Sequence, residues 1–223
     1  SILPNLYNYI LEQSKNFSQE ALNRHAATMR MRGRPKVVLA RTYEEAQKLY
    51  DKYSDNTLGV ISDARFPLKS AAKAFGNEVM PEEKPKHRTD TFGREKCPDA
   101  GLQLFRYIRK NDPFVPLIIE SSESENRAKA EAEGFRFVDK NSKKMSVDLR
   151  RLMEEHMGFG DFIFRDPKTH EEIMRIHSLK ELQDNIFNIP NDSMLYHISR
   201  NHMSRWLCAR AIFPVSAFLK NVK

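Results

Sequence analysis

The sequence predicts an α/β chain, built as a doubly wound parallel sheet with a small, mainly helical C-terminal appendage. Three observations carry this. Short β-branched apolar runs alternate with amphipathic helical segments between residues 36 and 158. The run "TLGVIS" does not alternate with polar residues, as befits a strand covered on both faces in a parallel sheet. Beyond Gly158 the pattern changes to a hairpin followed by helices.

From Leu3 to about Met31, Leu6, Tyr9, Ile10, Phe17, Leu22 and Met29 recur near helical spacing, which predicts one long amphipathic helix stopped by Gly33 and Pro35. "KVVLA" (36–40) reads as a strand. The helix after it, "TYEEAQKLYDKYSD", has Thr42 as N-cap and Glu45 as its capping-box partner. "TLGVIS" is the next strand, with Asp63 at its carboxyl edge. Residues 68–99 are charged and aperiodic, which predicts a long insertion loop over that edge.

The alternation then resumes. "AGLQLFRYIRKN" is a helix, "VPLIIES" a strand, "SENRAKAEAEGF" a helix closed by Gly134, "FRFVDK" a strand ending at Lys140, and "MSVDLRRLMEEHMG" a helix. A domain over 1–157 results. In the second region, 158–223, two short runs flank Asp166-Pro167-Lys168-Thr169 as a β-hairpin. Helices follow in "SLKELQDNIFNI", "DSMLYHISRNHMSRWLCARA" and "FPVSAFLKNV", with Trp206 as the packing anchor.

Of the 223 residues, 40% are hydrophobic, enough for one good-sized core and a second small one. No apolar run reaches the roughly 18 residues of a membrane span, and the N-terminus lacks the marks of a signal peptide, so a cytoplasmic protein is expected. Cys97 and Cys208 stand far apart and indicate neither a disulfide framework nor a zinc site. The net charge of +7 is dispersed without a recognition motif, so nucleic-acid binding is not the leading expectation. His197 and His202, five apart in one predicted helix, do not share a face as metal ligands would. Phosphate-cradling glycine loops and a serine nucleophile elbow are absent.

Chemistry in open α/β sheets collects outside the carboxyl ends of the strands. Asp63, Ser121 and Lys140 fall there on three successive strands. A carboxylate, a hydroxyl and an ammonium suit attack on a phosphoryl group and binding of its oxygens.

These residues resemble a bacterial response-regulator receiver domain, of the flavodoxin-like fold typified by CheY. Asp63 with Pro67 four positions on, then Ser121, then Lys140, match that family's phospho-acceptor and its two phosphate-binding residues, and Phe137 stands where it carries an aromatic switch residue. The resemblance covers about residues 3–156. It implies a signal-transduction receiver in a two-component phosphorelay: a phosphoprotein, not itself an enzyme, that regulates an attached or partner output domain. The implied partners are a histidine kinase or other phosphodonor and the output domain, with a homodimer left open. The implied cofactor is Mg²⁺, with Asp63 as ligand. The family's acidic pair, which ends a strand preceding the first helix, is missing from these residues, so the metal site is incomplete here. The tail is similar to a region that follows a receiver-like module in some bacterial phosphoenolpyruvate synthase and pyruvate phosphate dikinase-type proteins. Two other readings stand: a degenerate pseudo-receiver used as a protein-interaction scaffold, and a basic DNA-binding regulator reading through helices near 191–211.

Overall fold

Three short strands, β1 (Val60–Asp63), β2 (Leu117–Ser121) and β3 (Arg136–Asp139), form a parallel sheet in the order β1-β2-β3. The structure, a computed structural model, describes residues 2–21, 23–69 and 95–221. Its contacts divide the chain into two units, Val38–Ser142 and Ser1–Val37 joined with Lys143–Lys223. The expected division at 157/158 falls inside the second of these.

In the Val38–Ser142 unit, helix α3 (Tyr43–Tyr53) precedes β1, α4 (Ala100–Asn111) links β1 to β2, and α5 (Glu125–Ala132) links β2 to β3. The mixed α/β class expected from the sequence is therefore present, with the sheet in the parallel sense. Register pairs Val60, Ile61, Ser62 and Asp63 with Leu117, Ile118, Ile119 and Glu120. It pairs Ile118, Ile119, Glu120 and Ser121 with Arg136, Phe137, Val138 and Asp139. Side chains alternate across a strand. Leu117 and Ile119 therefore join one apolar core with Tyr50, Leu102, Phe105, Ile108, Ala130 and Phe135. Ile118, Glu120 and Val138 leave the opposite face and are buried as well.

Local chemistry sets the helix starts. Thr42 Oγ1 accepts the Glu45 N–H (3.2 Å), and the Glu45 carboxylate reaches back to the Arg41 N–H (2.7 Å). At the far end of α5, Gly134 takes φ +72° and lets Phe135 N–H bond the Ala130 carbonyl. "KVVLA" is not a strand. Val38 and Leu39 are 58% and 49% exposed and make no ladder among the described residues, and a β-branched run without a neighbouring edge satisfies no backbone groups. Of the expected 68–99 loop, residues 70–94 lie outside the described residues, while Cys97 bridges Phe66 (N–H to carbonyl, 3.1 Å).

The second unit starts with α1 (Leu3–Gln19) and α2 (Arg24–Arg32). The single long helix expected here is two, α1 ending at Gln19 and α2 starting at Arg24, because Asn23 is extended and caps a new helix through the Ala26 N–H (2.8 Å). Helix α6 (Met145–His156) is held to α1 by a bond from the Tyr9 hydroxyl to Glu154 Oε1 (3.1 Å). Strands β4 (Phe162–Arg165) and β5 (Glu172–Ile176) form the expected antiparallel hairpin. Asp166 Oδ1 accepts the N–H groups of Lys168 and Thr169 (both 2.8 Å), which fixes the turn. Then come α7 (Leu179–Asn185), α8 (Asn191–Ser199), α9 (His202–Ala209) and α10 (Phe213–Asn221). The expected continuous helix over 192–211 is two helices, because Asn201 adopts φ +59° and turns the chain. Trp206, 1% exposed, anchors the core of this region and donates its indole N–H to the Gly160 carbonyl (2.9 Å).

Candidate functional site

The carboxyl edge of the parallel sheet is laced together before any side-chain chemistry is considered. Ala64 N–H bonds the Glu120 carbonyl (3.0 Å), so β1 and β2 end in step. Lys140 N–H bonds the Ser121 carbonyl (2.9 Å), and Asn141 Nδ2–H bonds the Ser122 carbonyl (3.0 Å), so the β3 tip is fixed to the β2 tip. The Asp139 carboxylate accepts the Asn141 N–H (2.8 Å) and shapes the turn that carries Lys140.

On this frame the Lys140 ammonium meets Asp63 Oδ1 in a direct ion pair. Both side chains keep contact with solvent, at 34% and 50% exposure, so the pair is reachable from outside. Burial pulls the Lys140 ammonium below the ordinary lysine range. A second pair, Arg65 with Glu123 (3.1 Å), ties the loops after β1 and β2 and keeps the Arg65 guanidinium engaged beside Asp63 in the chain.

Ser121 is buried, and its hydroxyl oxygen accepts from Glu123 N–H (3.1 Å) and Asn126 Nδ2–H (2.9 Å). Its described contacts thus fix the start of α5. Phe137 pairs in register with Ile119, on the face opposite Asp63, and the Arg127 guanidinium lies over its ring at 4.8 Å. Of the four residues singled out by sequence, the structure brings Asp63 and Lys140 into contact, joins Ser121 to Lys140 through backbone, and sets Phe137 on the other face.

Sequence reasoning missed Glu120. It is the register partner of Asp63, so both side chains leave the same face of the sheet. Glu120 is 5% exposed, its Oε1 is buried without a hydrogen-bond partner, and burial pushes its carboxyl above the ordinary range. The available signal was an acid in the penultimate position of "LIIES", inside an otherwise apolar strand.

Gly101 closes the site from below. Its N–H bonds the Ala64 carbonyl (3.0 Å), and a Cβ there would press on the Asp63 carbonyl oxygen and lie 3.0 Å from Ile119 Cδ1 and 3.1 Å from Ala64 Cα. Gly101→Ala is expected to cost about 1–3 kcal/mol by overpacking. The loss should show as a lower urea midpoint, and an unchanged midpoint would mean the β1 tip yields freely.

The expectation that His197 and His202 lie apart is corrected. Because the helix breaks at Asn201, the two rings meet with Nδ1 atoms 3.0 Å apart. They bond each other rather than presenting two lone pairs to a metal, and no group of three or more His, Cys, Asp and Glu suited to a metal occurs among the described residues. No helix among the described residues is long and apolar enough to cross a membrane. Compared with protein-family models, curated proteins and solved structures, the chain matches none.

Proposed function

We propose that the Val38–Ser142 unit is a phospho-accepting signal receiver of the doubly wound, response-regulator type, with Asp63 as acceptor. The observation that supports it best is the half-exposed Asp63–Lys140 pair on the carboxyl edge of a parallel sheet. That edge is where open α/β sheets place their ligands.

In this reading an Asp63 carboxylate oxygen attacks the phosphorus of a phosphohistidine or a small acyl phosphate. A new O–P bond forms, the donor's P–N or P–O bond breaks, and its electron pair leaves with the donor. Lys140 then holds a phosphoryl oxygen as a charge-assisted donor. Ser121, whose side chain leaves β2 by the face opposite Asp63, serves as the second phosphate contact once the β2 tip turns its hydroxyl from α5 over the sheet edge toward the new group. That turn loosens its bonds to Glu123 and Asn126, which gives phosphorylation a local means to shift α5. Phe137, under Arg127, is the aromatic positioned to repack with α5. A divalent cation bound beside Asp63 would neutralise charge on the transferring phosphoryl group. The partners in this reading are a histidine kinase or other phosphodonor, and an output domain that senses α5.

Incubation with acetyl phosphate and Mg²⁺, followed by intact-mass measurement, tests the reading. The expected result is one phosphoryl adduct on the wild-type protein and none on Asp63→Asn. Absence of an adduct on the wild type under these conditions, or an equal adduct on Asp63→Asn, would refute it; the former would leave the unit as a scaffold.

A further inference from the structure

Strand β2 is buried along its whole length, and four of its five residues suit that setting. Glu120 does not. A carboxylate oxygen sealed from water without a donor loses its hydration and gains nothing for it, a cost of several kcal/mol for a charged group. Its register partner across the ladder is Asp63, one strand away on the same face, and neighbouring strands lie about 4.8 Å apart. Lys140 engages Asp63 Oδ1, and Oδ2 makes no hydrogen bond among the described residues. Two carboxylates therefore leave one face on adjacent strands, each with an oxygen that no donor among the described residues holds.

We infer that Asp63 and Glu120 are the paired carboxylate ligands of a divalent cation of the Mg²⁺ class. The inference rests on the phospho-acceptor reading and assigns to Glu120 the second acid that the sequence left unidentified. The donor set fits. Mg²⁺ is a hard cation that takes one or two carboxylates and completes its shell with waters and phosphoryl oxygens, so a third acid is not required. Placed between the two strands, the cation would satisfy Glu120 Oε1 and hold Asp63 Oδ2, while Lys140 keeps Oδ1. Glu120 then acts on the acceptor without touching the phosphoryl group.

Titration calorimetry of the full chain with MnCl2, repeated with MgCl2, tests this. The wild type is expected to bind one cation. Glu120→Gln keeps the shape of the side chain and removes one ligand charge, and is expected to weaken binding at least tenfold. Asp63→Asn should weaken it similarly. The melting temperature of metal-free Glu120→Gln should equal or exceed that of the wild type, since a buried unpaired carboxylate is gone, so a loss of binding is not a loss of fold. Failure of the wild type to bind either cation, or unchanged binding by Glu120→Gln, overturns the inference and leaves Glu120 as a neutral buried acid. The acetyl phosphate adduct separates the two ideas. An adduct on Asp63 together with unchanged cation binding by Glu120→Gln refutes the ligand assignment alone. Cation binding that depends on both acids supports the assignment even where no adduct forms and the receiver reading falls.

Discussion

Replacing Arg210 by alanine is expected to destabilise the unit formed by Ser1–Val37 and Lys143–Lys223 by about 3–5 kcal/mol, the range for removing one member of a buried charged network. Arg210 is 2% exposed and lies between two rings, 3.8 Å from the Trp206 centroid and 4.1 Å from the Phe17 centroid. Its guanidinium donates to the carbonyls of Gly158 (2.7 Å), Gly160 (3.0 Å) and Trp206 (3.3 Å). Burial pulls its pKa down to about 9, with Glu20 opposing that shift. Alanine would take the Arg210 donor from the Gly158 carbonyl, leave the Gly160 carbonyl with the Trp206 indole N–H alone, and open a gap between the rings, costs that add. Lysine would keep the charge but not the flat fork that stacks and reaches several carbonyls, so Arg210→Lys should recover only part of the loss. Trp206 is the single tryptophan of the chain, so its fluorescence during urea unfolding reports on this site directly. A midpoint for Arg210→Ala equal to that of the wild type would contradict this role for the guanidinium.

The second large effect is acid sensitivity centred on the histidine pair. His197 Nε2 accepts the Arg165 N–H (3.0 Å), so its own proton sits on Nδ1 and is donated to His202 Nδ1 (3.0 Å). Both rings are thus neutral, and a further proton on either sets donor against donor. The charged and titratable groups acting on them from the surrounding elements are Arg165, Arg200, Arg205 and His156, all cationic or able to become so. The rings of Phe162, Phe164 and Tyr196 pack edge-on with the His197 ring. Burial first, and these charges second, lower His197 to about 4 and His202 to about 3. Because the folded values lie below the unfolded value of about 6.5, the unfolded chain takes up the protons first. Stability is therefore full above pH 6.5 and falls as pH drops through 4 toward 3. For His197 alone the loss is roughly 3 kcal/mol, at about 1.4 kcal/mol per pH unit. Urea midpoints followed at Trp206 should fall between pH 6.5 and 4. The slope should flatten in His202→Gln, and equal slopes in the two proteins would exclude the pair as the cause.

Much of the α/β region was legible because its signals are local. The helix at 100–111 and the strands ending at 121 and 139 follow from apolar runs, caps and glycines within a few residues of each boundary. "KVVLA" shows the limit: apolar β-branched content marks a segment able to pair, while pairing depends on a free edge elsewhere. The breaks near Asn23 and at Asn201 were hidden by continuous helical spacing, since a side-chain cap or one left-handed residue outweighs the propensity of a helix that could run on. The expected separation of His197 from His202 assumed that unbroken helix and was lost with it. Asp63 and Lys140 were legible as strand tips, but Glu120 was not, because the face it leaves by is set by register with β1, a property of two distant segments.

The division of the chain has a consequence for how it comes to be folded. Residues 38–142 are continuous, so the parallel sheet and its helices can collapse as soon as that stretch has left the ribosome. The other unit closes only through contacts between its ends, such as Tyr9 to Glu154, 145 positions apart, and Phe17 to Arg210. During synthesis α1, with Leu6, Tyr9, Ile10 and Phe17 on one face, must wait for nearly the whole chain before that face is covered. Long sequence separation between α1 and its partners and long exposure of apolar surface go together here.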